Sequence, residues 1–212
     1  MNETDTYFYT DIDQRSKEWD LYHVKRLTAS NFGIAAGHDF KIKPEELGHN
    51  LKNGIKITHT DLELQYMEHG KVTEPIAREW YERKYNLKVK SMGFAIPKWQ
   101  NLLGCSPDGL VDEDGILEIK CPQKMYPKLE EYKYCLQNGC QPYPYYHEHI
   151  IPSHYDQIQG EMGILNKKWC DYVVFDTYNN KCYVERIPFD EKYWLELKSK
   201  LVEFIDKYLK ET

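Results

Sequence analysis

The 212-residue chain is 41% hydrophobic and 29% charged, an ordinary globular balance that excludes an intrinsically disordered chain. No apolar run is long enough to span a bilayer and no signal peptide opens the sequence, so a soluble, intracellular protein without a membrane partner is expected. The net charge of −6 argues against a protein that coats nucleic acid through bulk charge, while leaving room for an enzyme with a local basic channel. The cysteines at 105, 121, 135, 140, 170 and 182 contain no C-x-x-C pair and are expected to be reduced thiols.

With no internal repeat or low-complexity linker, residues 1–212 are expected to form a single domain. The pattern predicts a helix over Asp13–His23 and a second, short helix starting near Ser30, a good N-cap residue. Residues 37–57, rich in Gly, Lys and Asn, are expected to be a loop or insert. Asp61–Lys84 has a helical pattern in which Val72, Ile76 and Trp80 share a face. Pro75 fits the first turn of a new helix capped by Thr73. The middle is strand-like: Leu87–Ile96, Leu102–Cys105 and Gly115–Lys120 are short β-rich runs separated by Pro-Lys and Asp-Gly turn signals. A helix is expected near Pro127–Asn138, then a Pro/Tyr/His-rich stretch over Cys140–Pro152 and another helix over Ser153–Leu165. Cys170–Thr177 and Lys181–Pro188 form a hairpin around Asn179-Asn180. A final helix, Glu191–Lys210, sets Trp194, Leu197, Leu201, Phe204, Ile205 and Tyr208 in one apolar stripe. This order implies an α/β or α+β sandwich.

The chemistry is concentrated in Gly104-Cys-Ser-Pro-Asp-Gly-Leu-Val111 and Gly115-Ile-Leu-Glu-Ile-Lys-Cys-Pro122. If 115–120 is a strand, Glu118 and Lys120 share one face while Leu117 and Ile119 anchor the other in the core. A turn at Asp112–Gly115 would return Asp108 to the side of Glu118. Two carboxylates suit a hard divalent cation, and a lysine beside them could orient water and stabilise developing negative charge. The tripeptide E-x-K carries no weight alone, because it recurs at Glu82, Glu131 and Glu196. Only the Glu118 copy lies in an apolar β-type run.

Cys135, Cys140, His147 and His149 have a spacing poorly suited to zinc, and a surface insert explains them better. Tyr143, Tyr145 and Tyr146 could stack on bases, but packing of a loop is the plainer reading. Lys124, Lys128 and Lys133 form a basic edge that could meet phosphates.

These blocks together resemble the PD-(D/E)xK nucleases, and within them the lambda-exonuclease-like (YqaJ viral recombinase) branch. Trp19 and Arg26-Leu-Thr-Ala-Ser-Asn-Phe-Gly33 look like the family's first motif. His69-Gly-Lys-Val-Thr-Glu-Pro-Ile-Ala77 resembles its G-x-x-x-E-x-x-A block, aligning Glu74 with an active-site glutamate. Ser106-Pro-Asp-Gly with Glu118-Ile-Lys-Cys-Pro122 resembles the core motif, and Tyr155-Asp-Gln-Ile-Gln-Gly-Glu-Met162 the Q-x-Q helix, with Gln157 facing the site. The resemblance implies a restriction-endonuclease-like α/β core with a central mixed β-sheet flanked by helices. It implies metal binding by Asp108, Glu118 and the Ile119 carbonyl, with Lys120 assisting the attacking water and Glu74 and Gln157 in support. The implied cofactor is Mg²⁺, with Mn²⁺ able to substitute. The implied activity is 5′-to-3′ digestion of linear double-stranded DNA in viral-type recombination or repair, inside the host cell if viral. A single-strand annealing partner and a homo-oligomer, a ring trimer, are also implied. A nicking or structure-specific endonuclease and a silent DNA-binding adaptor are the alternatives. The sequence departs from the family at His23 and Tyr126, where lambda-type members place phosphate-binding arginines. Lys25 or Arg26 is the candidate replacement for the first and Lys124 for the second, while Ser106 matches the family's phosphate-contacting serine and Ser30 matches too; a modest 5′-phosphate preference carried mainly by Arg26 is expected.

Overall fold

A mixed sheet forms where the apolar β-type runs converge, and helices cover both its faces. The computed structural model describes residues 1–122, 150–177 and 181–210. The elements in order are β1 (Asn2–Glu3), β2 (Tyr7–Tyr9), α1 (Lys17–His23), β3 (Leu27–Thr28), a 3₁₀ turn (Ala29–Asn31), α2 (Phe32–Ala36), α3 (Pro44–Asn53), α4 (Asp61–Tyr85), β4 (Ala95–Pro97), β5 (Leu103–Gly104), β6 (Gly109–Val111), β7 (Gly115–Lys120), α5 (Pro152–Leu165), β8 (Trp169–Asp176), β9 (Lys181–Pro188) and α6 (Glu191–Tyr208). The main sheet has the order β6-β7-β8-β9. β7 and β8 run parallel, and the two outer pairs are antiparallel. A small sheet β1-β2-β4 and a parallel pair β3-β5 lie outside it.

Strand periodicity divides the core in two. Leu117, Ile119, Val173 and Phe175 pack against Ala77 and Tyr81 of α4. Ile116, Cys170, Tyr172 and Val174 share the other cluster with Ile158 and Met162 of α5 and Leu197 and Leu201 of α6. This arrangement, helix on one face and helices on the other of a mixed sheet, is the fold class expected from the sequence. The depth of α5 depends on Gly160, where an added methyl would collide with the Phe32 ring of α2. Close approach of this kind requires glycine.

Several boundaries differ from expectation. The first helix begins at Lys17, because the Ser16 side chain caps it by accepting from the Trp19 N–H and Arg15 takes a left-handed backbone with φ of 65°. Residues 37–57 contain α3 rather than loop alone: Pro44 starts it, and Gly54 closes it at φ of 64°, a left-handed stop that favours glycine. Leu47 and Gly48 are its buried residues, and Gly48 lies against Tyr208 of α6. Helix α4 runs unbroken through Pro75; the proline is on the exposed side, where water can satisfy the carbonyl it leaves unbonded. Its buried face is Thr73, Ala77 and Tyr81, whereas Val72 and Ile76 are exposed. Of the run 87–96, only its end enters a strand, β4; Lys90 forms an isolated bridge with Leu110. The earlier part is held to α4 by Glu82, which accepts from the Val89 N–H at 2.8 Å.

The expected stripe of α6 is in place, with Trp194, Leu197, Leu201, Phe204 and Ile205 buried. Tyr208 is half-buried, and its hydroxyl donates to Glu45 at 2.9 Å. β8 and β9 pair as the expected hairpin strands. The helix expected at 127–138, the segment 140–149, Lys124, Tyr126 and the Asn179-Asn180 turn lie outside the described residues. Among the described residues no helix is long and apolar enough to cross a membrane.

Candidate active site

The hairpin of β6 and β7 brings Asp108 back to β7 as the sequence suggested. Gly109 stands opposite Leu117 and Val111 opposite Gly115, with Asp112 in the turn at φ of 50°. Asp108, immediately before β6, accepts the Ile119 N–H on Oδ2 at 2.6 Å. That bond fixes its carboxylate at the edge of β7.

On the α5 side of the sheet, Glu118, Lys120 and Gln157 form a closed group. Lys120 Nζ donates to Glu118 Oε1 at 2.6 Å and to Gln157 Oε1 at 2.9 Å. Gln157 Nε2 donates to the same Glu118 oxygen at 2.8 Å. The Gln157 amide is therefore oriented by an acceptor on one side and an ammonium on the other. Its Nε2 also meets Glu161 Oε1 at 3.2 Å, one helical turn further along α5. Glu161 is fully buried and was not singled out from the sequence; its i+4 spacing from Gln157 was the available signal.

The electrostatics show an excess of negative charge. Burial, then Glu118 and Glu74, push the Asp108 carboxyl well above the usual carboxylate range. Burial and Glu118 do the same to Glu161. Burial alone would lower Lys120, but Glu118, Tyr172 and Asp108 outweigh it and hold its ammonium charged. Glu118 Oε2 and Glu161 Oε2 are buried without a hydrogen-bond partner. Among the described residues, no three His, Cys, Asp or Glu side chains converge to hold a metal by themselves. The site thus offers a pair of carboxylates, Asp108 and Glu118, with the Lys120 ammonium set against several acids. Hard oxygen donors, surplus negative charge and unsatisfied carboxylate oxygens fit a hard divalent cation whose other positions go to water and phosphate.

Glu74 of α4 is on the far side of Asp108. It pairs with Arg15 and lies 3.7 Å from Arg78, while Arg78 donates to the Asp108 carbonyl. Arg15 and Arg78 were also missed in the sequence. No hydrogen bond joins Glu74 to Glu118, Lys120 or Gln157 among the described residues.

The described residues expected to grip phosphate make the following contacts. Arg26 uses Nε on the Asn101 carbonyl at 3.0 Å and Nη1 on the Tyr22 carbonyl at 2.9 Å. Ser106 Oγ donates to the Gly93 carbonyl and accepts from Trp19 Nε1 at 3.1 Å. Ser30 is exposed, with its hydroxyl 3.2 Å from that of Thr28. His23 packs against the Trp19 ring at 3.7 Å and bonds the Trp19 carbonyl through Nδ1. Burial lowers its pKa from the ordinary histidine value.

The three-layer fold is shared with solved exonucleases. The structure of an alkaline exonuclease from Laribacter hongkongensis (LHK-Exo) matches with a TM-score of 0.70 at 23% identity, covering 91% of this chain and 92% of that one. The same enzyme in complex with dAMP gives 0.71 at 22% identity, with the same coverage. A phage-related exonuclease from Haemophilus somnus 129PT gives 0.56 at 16% identity, covering 90% and 96%. A search of curated proteins finds no match. The family model described as the YqaJ-like viral recombinase domain matches residues 18–168. The chain belongs to the YqaJ-like viral recombinase family.

Proposed function

We propose that this protein is a divalent-metal-dependent deoxyribonuclease that digests linear duplex DNA from its ends, 5′ to 3′, in viral-type recombination or repair. The observation that carries the reading is the group formed by Glu118, Lys120 and Gln157, with Asp108 pinned beside it on the Ile119 N–H. Family membership and a fold shared with exonucleases, one of them solved with dAMP, support DNA as the substrate.

In this reading Asp108, Glu118 and the Ile119 carbonyl hold Mg²⁺, or Mn²⁺ in its place. Such an ion, when bound, neutralises charge on a phosphoryl oxygen and lowers the pKa of water. The protein's own groups do the rest. Lys120 stays protonated and presents N–H donors where negative charge develops. Gln157 keeps Lys120 and Glu118 in register, so that no reorganisation is needed at the moment of reaction. Leu117 and Ile119, buried on the opposite face of β7, hold the strand rigid beneath them.

The test compares linear, nicked and covalently closed duplexes of one sequence, in Mg²⁺ and in excess chelator. Digestion of the linear form alone, only with metal, is the expected result. Cleavage of the closed circle would replace end-dependent digestion with endonuclease activity. Strong cleavage in chelator would remove the metal from the account.

A further inference from the structure

We infer that the cavity beside Asp108, walled by Arg15 and Arg78, is a subsite that grips a backbone phosphate of the DNA strand next to the phosphate being cut. The inference rests on the nuclease reading for its substrate, but its geometry stands apart from the Glu118–Lys120–Gln157 group.

The cavity has a volume of about 250 Å³, and Arg15, Glu74, Arg78 and Asp108 line it. Arg78 is anchored to the Asp108 carbonyl, so this guanidinium is in direct contact with the residue expected to hold metal. Arg15 reaches the same wall from the other side through Glu74. One carboxylate thereby holds two guanidiniums close together, which without it would repel each other. Arg15 is 44% exposed, and its remaining N–H groups have no partner among the described residues. A planar guanidinium with free donors suits a phosphate, which it can meet with two parallel hydrogen bonds.

The backbone at position 15 supports a functional role. Its φ of 65° lies in the left-handed region that disfavours non-glycine residues. Strain of this kind tends to persist where a side chain must be aimed. Asp11 and Asp13 also border the cavity; both are exposed, as Arg15 is, so water screens all three charges alike and the hydrogen-bond geometry of the guanidinium sets the preference for phosphate. Arg26 is committed through Nε and Nη1 to main-chain carbonyls, and His23 is half-buried against the Trp19 ring.

The experiment measures binding of a short fluorescein-labelled blunt duplex by anisotropy across a salt series, with Ca²⁺ as the metal to limit turnover. Arg15→Ala should weaken binding about tenfold and flatten the slope of log affinity against log salt by about 0.9, the signature of one lost phosphate contact. Arg15→Lys should recover the slope, which reads charge, but only part of the affinity, which also needs the paired guanidinium donors, with an unchanged melting temperature in all three proteins. Arg15→Ala with the wild-type affinity and slope overturns the subsite. So does a loss of affinity that leaves the slope intact, which would mark a structural role. Cleavage in Mg²⁺ separates this inference from the reading it rests on. A wild type that never cleaves, yet loses slope with Arg15→Ala, keeps the subsite and sinks the nuclease. A wild type that cleaves, with Arg15→Ala binding normally, sinks the subsite alone.

Discussion

Glu118 and Glu161 each bury one carboxylate oxygen without a donor, and burial and neighbouring acids raise Asp108 above the usual carboxylate range. An unsatisfied buried acceptor costs about 1–3 kcal/mol, more when charged, so the metal-free site should be a source of instability. Asp108→Asn keeps an oxygen to accept the Ile119 N–H while removing one like charge. In chelator this variant should melt a few degrees above the wild type, and Mg²⁺ should raise the melting temperature of the wild type only. A lower melting temperature for Asp108→Asn in chelator would show that the acids do not repel as described. His23 makes a pH prediction. Its folded-state pKa is lowered, chiefly by burial, so the unfolded chain takes up the proton first as pH falls. The stability it contributes is present above about pH 6.5 and is lost below it. Buried His154, also lowered well below the ordinary value, acts in the same direction. His23→Gln should flatten denaturation midpoints measured from pH 7 to 5; an unaltered slope would rule the residue out. At this scale Asp108, Glu118, Lys120 and Gln157 were legible, because strand alternation and one hairpin suffice to bring the first three together. Arg15 was not, since its position depends on a left-handed backbone residue and a long-range pairing with Glu74 that no local pattern encodes.

Two glycines on helices separate packing from propensity. Gly160 faces the Phe32 ring without room for a methyl group, whereas nothing lies within 4 Å of a methyl placed at Gly70 of α4. Gly160→Ala should destabilise by about 1–3 kcal/mol through overpacking. It should also depress cleavage, because α5 carries Gln157 to Glu118. Gly70→Ala should stabilise by about 0.5–1 kcal/mol, since a helix interior favours alanine. Urea midpoints check both, and equal shifts of the same sign would contradict the packing described. The expected helix at 153–165, the β8–β9 strands and the α6 stripe were readable because their periodicity is strong. Helix α3 was hidden by its polar composition: Leu47 is its one fully buried apolar residue, although Pro44 and Gly54 mark its ends. The buried face of α4 was not legible because apolar residues occur on both sides. Val72 and Ile76 advertise a face, while Thr73, Ala77 and Tyr81 make the contacts; Tyr81 does so through a hydroxyl that reaches buried Asp171 on β8.

For the molecule as a whole, net charge and function point in different directions unless positive groups are local. The chain is acidic overall, and the positive groups near Asp108 are Lys120, Arg15 and Arg78, each beside a carboxylate, so DNA binding should rest on few phosphate contacts and show a shallow salt dependence. The three layers serve that arrangement. Helix α4 supplies Glu74 and Arg78, β7 supplies Glu118 and Lys120, and α5 supplies Gln157 and Glu161. In the proposed function these layers assemble a metal-dependent phosphodiesterase centred on Lys120. The most direct measurement is the release of acid-soluble nucleotide from linear duplex DNA in Mg²⁺ by the wild type and by Lys120→Ala, with melting curves of both. Removing one preorganised donor of this kind costs about 10²–10³-fold in rate. Lys120→Ala should therefore fold normally and have its rate reduced by at least that factor. A folded Lys120→Ala that digests DNA at the wild-type rate would contradict it.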